Sequence, residues 1–394
     1  MFEFLYTCFG VYNFAFGFFN SVCGTVAGSV VSSPATQQSE DDLESMKLYG
    51  GHAPSAKIAF FDMSEDGNSI YYPSPLGDNV FGPAWKAGAH LHTNSWGGPF
   101  NFYDSDTISA DDFQVQHDDF LALFAAGNDG SDGYFSVADP AVSKNSLTVG
   151  ASMTNRTIER VAFFSSLGPT FDQRIKPDVV APGYFTYSAC AGGAGNSTCT
   201  VLRHAGTSMA TPAVAGTAAL VRQYFSGDDE SILESGTSYY QLMCQESYPL
   251  CKAFSPRGAT VKAILIHSGE AMEEYFAGTR NTTEPTAPLI NSPPDMYQGF
   301  GRIALPNVLP YPGIEEGLDL YVEELEIASM QEVTYTVVVQ NASKPLKVTL
   351  VWMDPVNHII TSRLLLHDID LQVISSTGEV YHGNNQPGDE VCMY

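Results

Sequence analysis

The residues Gly206-Thr207-Ser208-Met209-Ala210-Thr211-Pro212 set a hydroxyl between a glycine turn and a run of small residues ending in Leu220-Val221. A serine so placed sits at a helix start, where free backbone N–H groups and the positive end of the helix dipole face whatever its oxygen attacks. Pro212 is expected in the first turn, where its missing N–H breaks no bond. Asn128, closing Ala125-Ala126-Gly127-Asn128, brings a second donor, and Ser95-Trp96-Gly97 reads as an exposed strand. These types together fit acyl transfer. An extended peptide gains main-chain hydrogen bonds along Ser95–Gly97. The Ser208 hydroxyl attacks its carbonyl, and the Asn128 amide with the Ser208 N–H receives the negative charge that develops.

These segments, in this order, resemble subtilisin-like serine peptidases. Asn94-Ser95-Trp96-Gly97-Gly98 resembles the family's substrate-pairing strand, and Ala125–Asn128 the strand end that completes the oxyanion hole. Phe163 to Gly183, with Ser165-Ser166-Leu167-Gly168-Pro169 and Lys176-Pro177-Asp178-Val179-Val180-Ala181-Pro182-Gly183, resembles the segment leading to the nucleophile loop. The likeness runs from Val22 past Arg302. Val348–Pro355 and His367–Leu371 resemble the subgroup with a C-terminal β-barrel. The resemblance implies a serine endopeptidase acting on a protein or peptide substrate without a required cofactor. Ser208 and Asn128 are then catalytic, and Ser95, Trp96, Gly97, Ala125, Ala126 and Gly127 bind substrate. By the same analogy Asp368 and Asp370 are a candidate structural calcium site. Related acid peptidases are disfavoured, because Asn128 stands where they carry an acid.

Serine is a weak nucleophile until a base takes its proton and a carboxylate orients that base. The family's histidine precedes a run like Val22-Cys23-Gly24-Thr25-Val26-Ala27-Gly28; here Ser21 occupies its position. Glu3 is the only acid before Val22 and matches no aspartate motif. His204 is too close along the nucleophile loop to reach back, His90 and His92 belong on one packed strand face, and the remaining histidines match nothing catalytic. Two explanations stand: a sequence that starts in the wrong place, as a misread intron or missing exon would cause, or a degenerate homologue that binds peptides without cutting them. Either way the residues as given are expected to be nearly inert.

The scaffold that would position this chemistry is an α/β fold with a parallel sheet. Lys57–Met63, His90–Trp96, Phe120–Ala126 and Ser146–Ala151 are apolar runs of strand length, as in strands buried on both faces. Gly82–Gly88 and Ser105–His117 are long enough to be crossover helices, and further helices are expected from Ser208 and over Gly258–His267. The acids between Asp104 and Asp119 read as a solvated face. Met1–Phe19 is crowded with aromatics, makes a poor signal peptide and is expected to lie outside the fold. The division is therefore 1–21 as a non-matching segment, 22–312 as the α/β domain without its first part, and 313–394 as a partial β-sandwich. Glu332–Val339, Leu346–Val351 and Asp370–Ser375 supply the expected strands of that last module.

A net charge of −26 argues against nucleic acid and anionic membrane surfaces. The chain has seven cysteines, and spacing pairs Cys190 with Cys199 and Cys244 with Cys251. Sequons at Asn155, Asn196, Asn281 and Asn341 point with them to an oxidising compartment, secreted or in the endomembrane lumen. No membrane span is expected.

Overall fold

The computed structural model describes residues 4–8, 15–28, 49–61, 63, 71–154, 157–191, 199–227, 236–244, 250–275, 291–311, 318–339, 346–357 and 363–385. The asparagines of all four sequons and Cys392 lie outside them, as do the side chains of Cys8, Cys190 and Cys199.

The apolar runs form a sheet. Strands β1 (Phe4–Cys8), β2 (Lys57–Phe61), β3 (Ala89–Asn94), β4 (Leu121–Ala125), β5 (Leu147–Ser152) and β7 (Val179–Pro182) run parallel in the order β2-β1-β3-β4-β5-β7. A short β6 (Arg160–Val161) adds to β5 antiparallel and is extended by β10 (Glu274–Tyr275). Every residue of β4 and β5 is buried, because helices cover both faces of the sheet.

One expectation about the start of the chain is corrected. Phe4–Cys8 lies inside the sheet, paired with both β2 and β3, with Leu5 opposite Ile58 and Leu91. Without it, two rows of ladder N–H and C=O groups at the middle of the sheet would go unpaired. Residues 15–27 form helix α1 (Ala15–Ala27), which packs against the hairpin β8–β9 (Thr186–Ala191, Cys199–His204) and the helix Thr207–Phe225.

Crossover helices α2 (Gly82–Lys86) and α3 (Ser105–Gln116) fall where expected. The acids on α3 are not a uniformly solvated face. Asp104 caps the helix by accepting the Thr107 N–H at 2.8 Å, whereas Asp111 is fully buried. Asp111 accepts Tyr103 Oη at 2.6 Å, Ser143 Oγ at 2.5 Å and the backbone N–H groups of Lys144 and Asn145. Helix α4 (Thr207–Phe225) lies against the sheet; its Ala- and Gly-rich face permits close approach, and an added Cβ at Gly216 would lie 2.8 Å from His52 Cβ. A short α5 (Tyr239–Met243) leads to the Cys244–Cys251 disulfide, the pairing that spacing gave. Helix α6 (Gly258–His267) has the bounds read from the sequence.

The later strands turned out differently. Among the described residues after 312, only β11 (Gln372–Ile374) and β12 (Val380–His382) form a ladder. Glu332–Val339 and Leu346–Val351 carry no ladder, and Val337 and Val338 are exposed. Among the described residues no helix is long and apolar enough to cross a membrane.

Candidate functional site

The site gathers at the carboxyl ends of β3 and β4 and the amino end of α4, where an open parallel sheet receives its ligands. Gly206 makes the turn into α4 at φ 154°, and its N–H donates to Gly183 O at 2.9 Å. Gly183 must be small there: a Cβ would lie 2.8 Å from Gly206 O and 3.2 Å from Ala210 Cβ.

Ser208 is the second residue of α4 and is half-buried. Its hydroxyl donates to Ser95 O at 3.1 Å, and Ser95 Oγ donates back to Ser208 O at 3.0 Å. This reciprocal pair depends on Pro212, whose expected place is corrected. The proline lies inside the helix rather than in its first turn. Having no N–H, it leaves Ser208 O without the usual bond from four residues on. Ser95 Oγ takes that carbonyl instead, so the proline frees an acceptor that ties Ser95 to the first turn of α4. Sequence reasoning missed this role of the Ser95 side chain.

Asn128 follows Gly127, whose φ of 109° turns the chain sharply after β4. Its Oδ1 accepts Thr207 N at 2.9 Å and Thr207 Oγ1 at 3.2 Å, and Thr207 Oγ1 also lies 3.2 Å from Gly127 O. Thr207, unread as a site residue, thereby orients the amide. With Oδ1 engaged, Nδ2 is the donor left for an incoming oxygen, at the amino end of α4 where the dipole favours negative charge. Ala125 and Ala126 are buried, and Ala126 N bonds Val149 O at 2.9 Å. Trp96 is buried between Tyr72, 4.6 Å away between ring centroids, and Phe124 at 5.9 Å. Gly97 sits against Asp139 O, 2.9 Å from where its Cβ would be.

Among the described residues no imidazole bonds Ser208 Oγ. His90 pairs with Asp119 at 3.0 Å, and Trp85 Nε1 donates to the same carboxylate; hydrogen bonding from His90 and Trp85 lowers the Asp119 pKa to about 2. Five residues of strand separate His90 from Ser95, roughly 16 Å at the usual rise. His92 packs beside Phe81 and Phe120, and burial lowers its pKa to about 3, so it stays neutral. His204 lies on β9, its pKa lowered by burial. Ser21 lies on α1 with its hydroxyl buried and without a protein partner; its backbone O accepts from Ser188 Oγ at 2.7 Å.

Arg363 bonds Asp368 at 2.6 Å, and no group of three or more His, Cys, Asp or Glu side chains converges among the described residues.

Residues 20–274 match the family model described as the subtilase family. The chain belongs to the subtilase family. Among similar proteins is the serine protease/ABC transporter B family protein tagD of Dictyostelium discoideum, 26% identical over 93% of this chain and 25% of its own length. Pyrolysin of Pyrococcus furiosus is 31% identical over 48% of this chain and 16% of its own. The chain thus spans about a quarter of tagD and less of pyrolysin. Among solved structures, a mutant of the protease domain of PatA overlays with a TM-score of 0.50 at 20% identity, covering 77% of this chain and 93% of that one. That likeness speaks to the fold, a subtilisin-like α/β sheet with its helices.

Proposed function

We propose that this subtilase carries the acyl-transfer half of a serine endopeptidase site. Ser208 is the nucleophile, Asn128 Nδ2 and the Ser208 N–H receive the oxyanion, and a peptide pairs with Ser95–Gly97. The carrying observation is the convergence of Ser208 Oγ, Ser95 O and the Thr207-held Asn128 amide at one helix start. Proton transfer is the missing half: among the described residues no base bonds the Ser208 hydroxyl. The Ser208 proton is directed at a backbone carbonyl, which is no base at neutral pH. Hydrolysis by this chain is accordingly set near the residual level of a site without its histidine; in subtilisin itself, loss of the serine or the histidine costs about a million-fold in turnover.

A second reading, a peptide-binding protein that does not cleave, is favoured by the Ser208–Ser95 lock, which holds the hydroxyl away from attack. A quenched-fluorescent peptide library assayed beside anisotropy binding separates the two. Cleavage abolished by Ser208→Ala supports the peptidase; saturable binding without cleavage supports the binder. The sequons and the Cys244–Cys251 disulfide support a secreted or endomembrane-lumen location, which endoglycosidase sensitivity of the expressed protein tests.

A further inference from the structure

The substrate strand has an acidic neighbour that the acyl-transfer chemistry does not use. Asp139 is half-buried and tied to the strand by three bonds. Its N–H donates to Phe100 O at 2.7 Å, its carbonyl accepts Gly98 N at 2.8 Å, and its Oδ1 accepts Phe100 N at 3.2 Å. The carboxylate lies flat against the strand: a Cβ at Gly98 would be 2.5 Å from Oδ2 and 2.7 Å from Oδ1. A glycine at 98 is what lets an acid stand there.

Other carboxylates withdrawn from water in this chain are compensated. Asp178 has Lys176 and Lys262, Asp172 has Arg174, and Asp354 has Lys144. Asp111 has no cation but is surrounded by hydroxyl and backbone donors. Asp139 has neither. Among the described residues no Lys, Arg or His lies within ion-pair distance of it, and no other residue donates to Oδ2. Burial, together with repulsion from Asp104 and Asp106, raises its pKa, which marks a carboxylate short of compensation. A second polar group on the strand also has no protein partner. Trp96 is 7% exposed, and its Nε1 has no protein acceptor. Buried polar atoms are normally satisfied; Oδ2, by contrast, is not sealed off and is open to a donor arriving from outside the protein.

We propose that Asp139 is a specificity-determining residue, whose carboxylate receives a Lys or Arg side chain of the peptide seated along Ser95–Gly98. The proposal rests on the peptide-binding reading of that strand and adds the substrate class. A basic side chain gives Oδ2 its missing donor and offsets the local negative charge. A glutamate in the same place meets repulsion, so discrimination has an attractive and a repulsive part.

The test uses the full chain and three fluorescein-labelled ten-residue peptides that differ only in a central Lys, Leu or Glu, titrated by anisotropy. The lysine peptide is expected to bind about tenfold more tightly than the leucine peptide, and the glutamate peptide more weakly than either. Asp139→Asn keeps the acceptor for Phe100 N and removes the charge. It should bring lysine and leucine within about twofold, the lysine peptide losing most. Equal binding of all three peptides, or a lysine preference that survives Asp139→Asn, overturns the assignment while the groove reading stands. Failure of every peptide to bind overturns the groove reading and the assignment together.

Discussion

Removing the Asp354 carboxylate should cost this fold far more than a surface ion pair would. Lys144 and Asp354 are 0% and 1% exposed, with Nζ 2.5 Å from Oδ2. The ammonium also donates to Pro355 O at 2.6 Å and Leu364 O at 3.2 Å. The carboxylate accepts Leu366 N at 3.0 Å and His367 N at 2.8 Å, and the Asn145 amide pairs with both backbone groups of Asp354. Asp354→Ala strands a buried cation and two donors, a loss of about 3–5 kcal/mol at the scale of broken buried pairs. Lys144→Met should cost less, because two N–H groups still bond the carboxylate. Urea denaturation followed by tryptophan fluorescence, with midpoints compared at a common slope, gives both numbers. A loss below about 1 kcal/mol for Asp354→Ala, the size of an exposed pair, would show that the buried pair is not what holds these segments together, and so would the reverse order of the two variants.

Other outcomes follow from the same geometry. Asn128→Ala removes the acceptor that holds Thr207 N and should lower stability by about 1 kcal/mol, whereas Asn128→Asp keeps the acceptor, loses the amide donor and should be close to wild type in denaturation. Burial, then the Lys347 charge, lowers His267 to about 4, and burial lowers His92 to about 3. Unfolded histidines protonate near pH 6.5. The unfolded chain therefore binds more protons below that pH, and stability should fall as pH drops from about 6.5 toward 4. Thermal midpoints across that range check this, and a flat profile would count against it. Burial pushes the Cys23 thiol up to about 12. It should resist iodoacetamide at pH 8 in the folded protein and react in urea, as peptide mass mapping would show.

Much of the fold was legible because buried parallel strands and small-residue helices write themselves as local patterns. Phe120–Ala126 and Gly258–His267 needed no partner to be recognised. Phe4–Cys8 was missed since its role is topological: five residues become a central strand only because β2 and β3 leave a gap between them. Glu332–Val339 failed in the opposite way. Its β-branched alternation is strand-like, yet propensity in a sheet is mostly packing against neighbours, and no ladder forms there. At the site, Ser208 and Asn128 were readable from their segments. Thr207 holding the amide, the carbonyl freed by Pro212 and the acid at Asp139 were not, since each depends on contacts between distant residues. Asp111, read as part of a solvated face, is buried for the same reason.

The proposal that Ser208 has no base is probed by reacting the full chain with a fluorophosphonate, then measuring intact mass and mapping peptides. With no imidazole bonded to it among the described residues, Ser208 should stay unmodified over hours at neutral pH while the fold remains intact. Stoichiometric phosphonylation at Ser208, lost in Ser208→Ala, would mean that a working base is present after all.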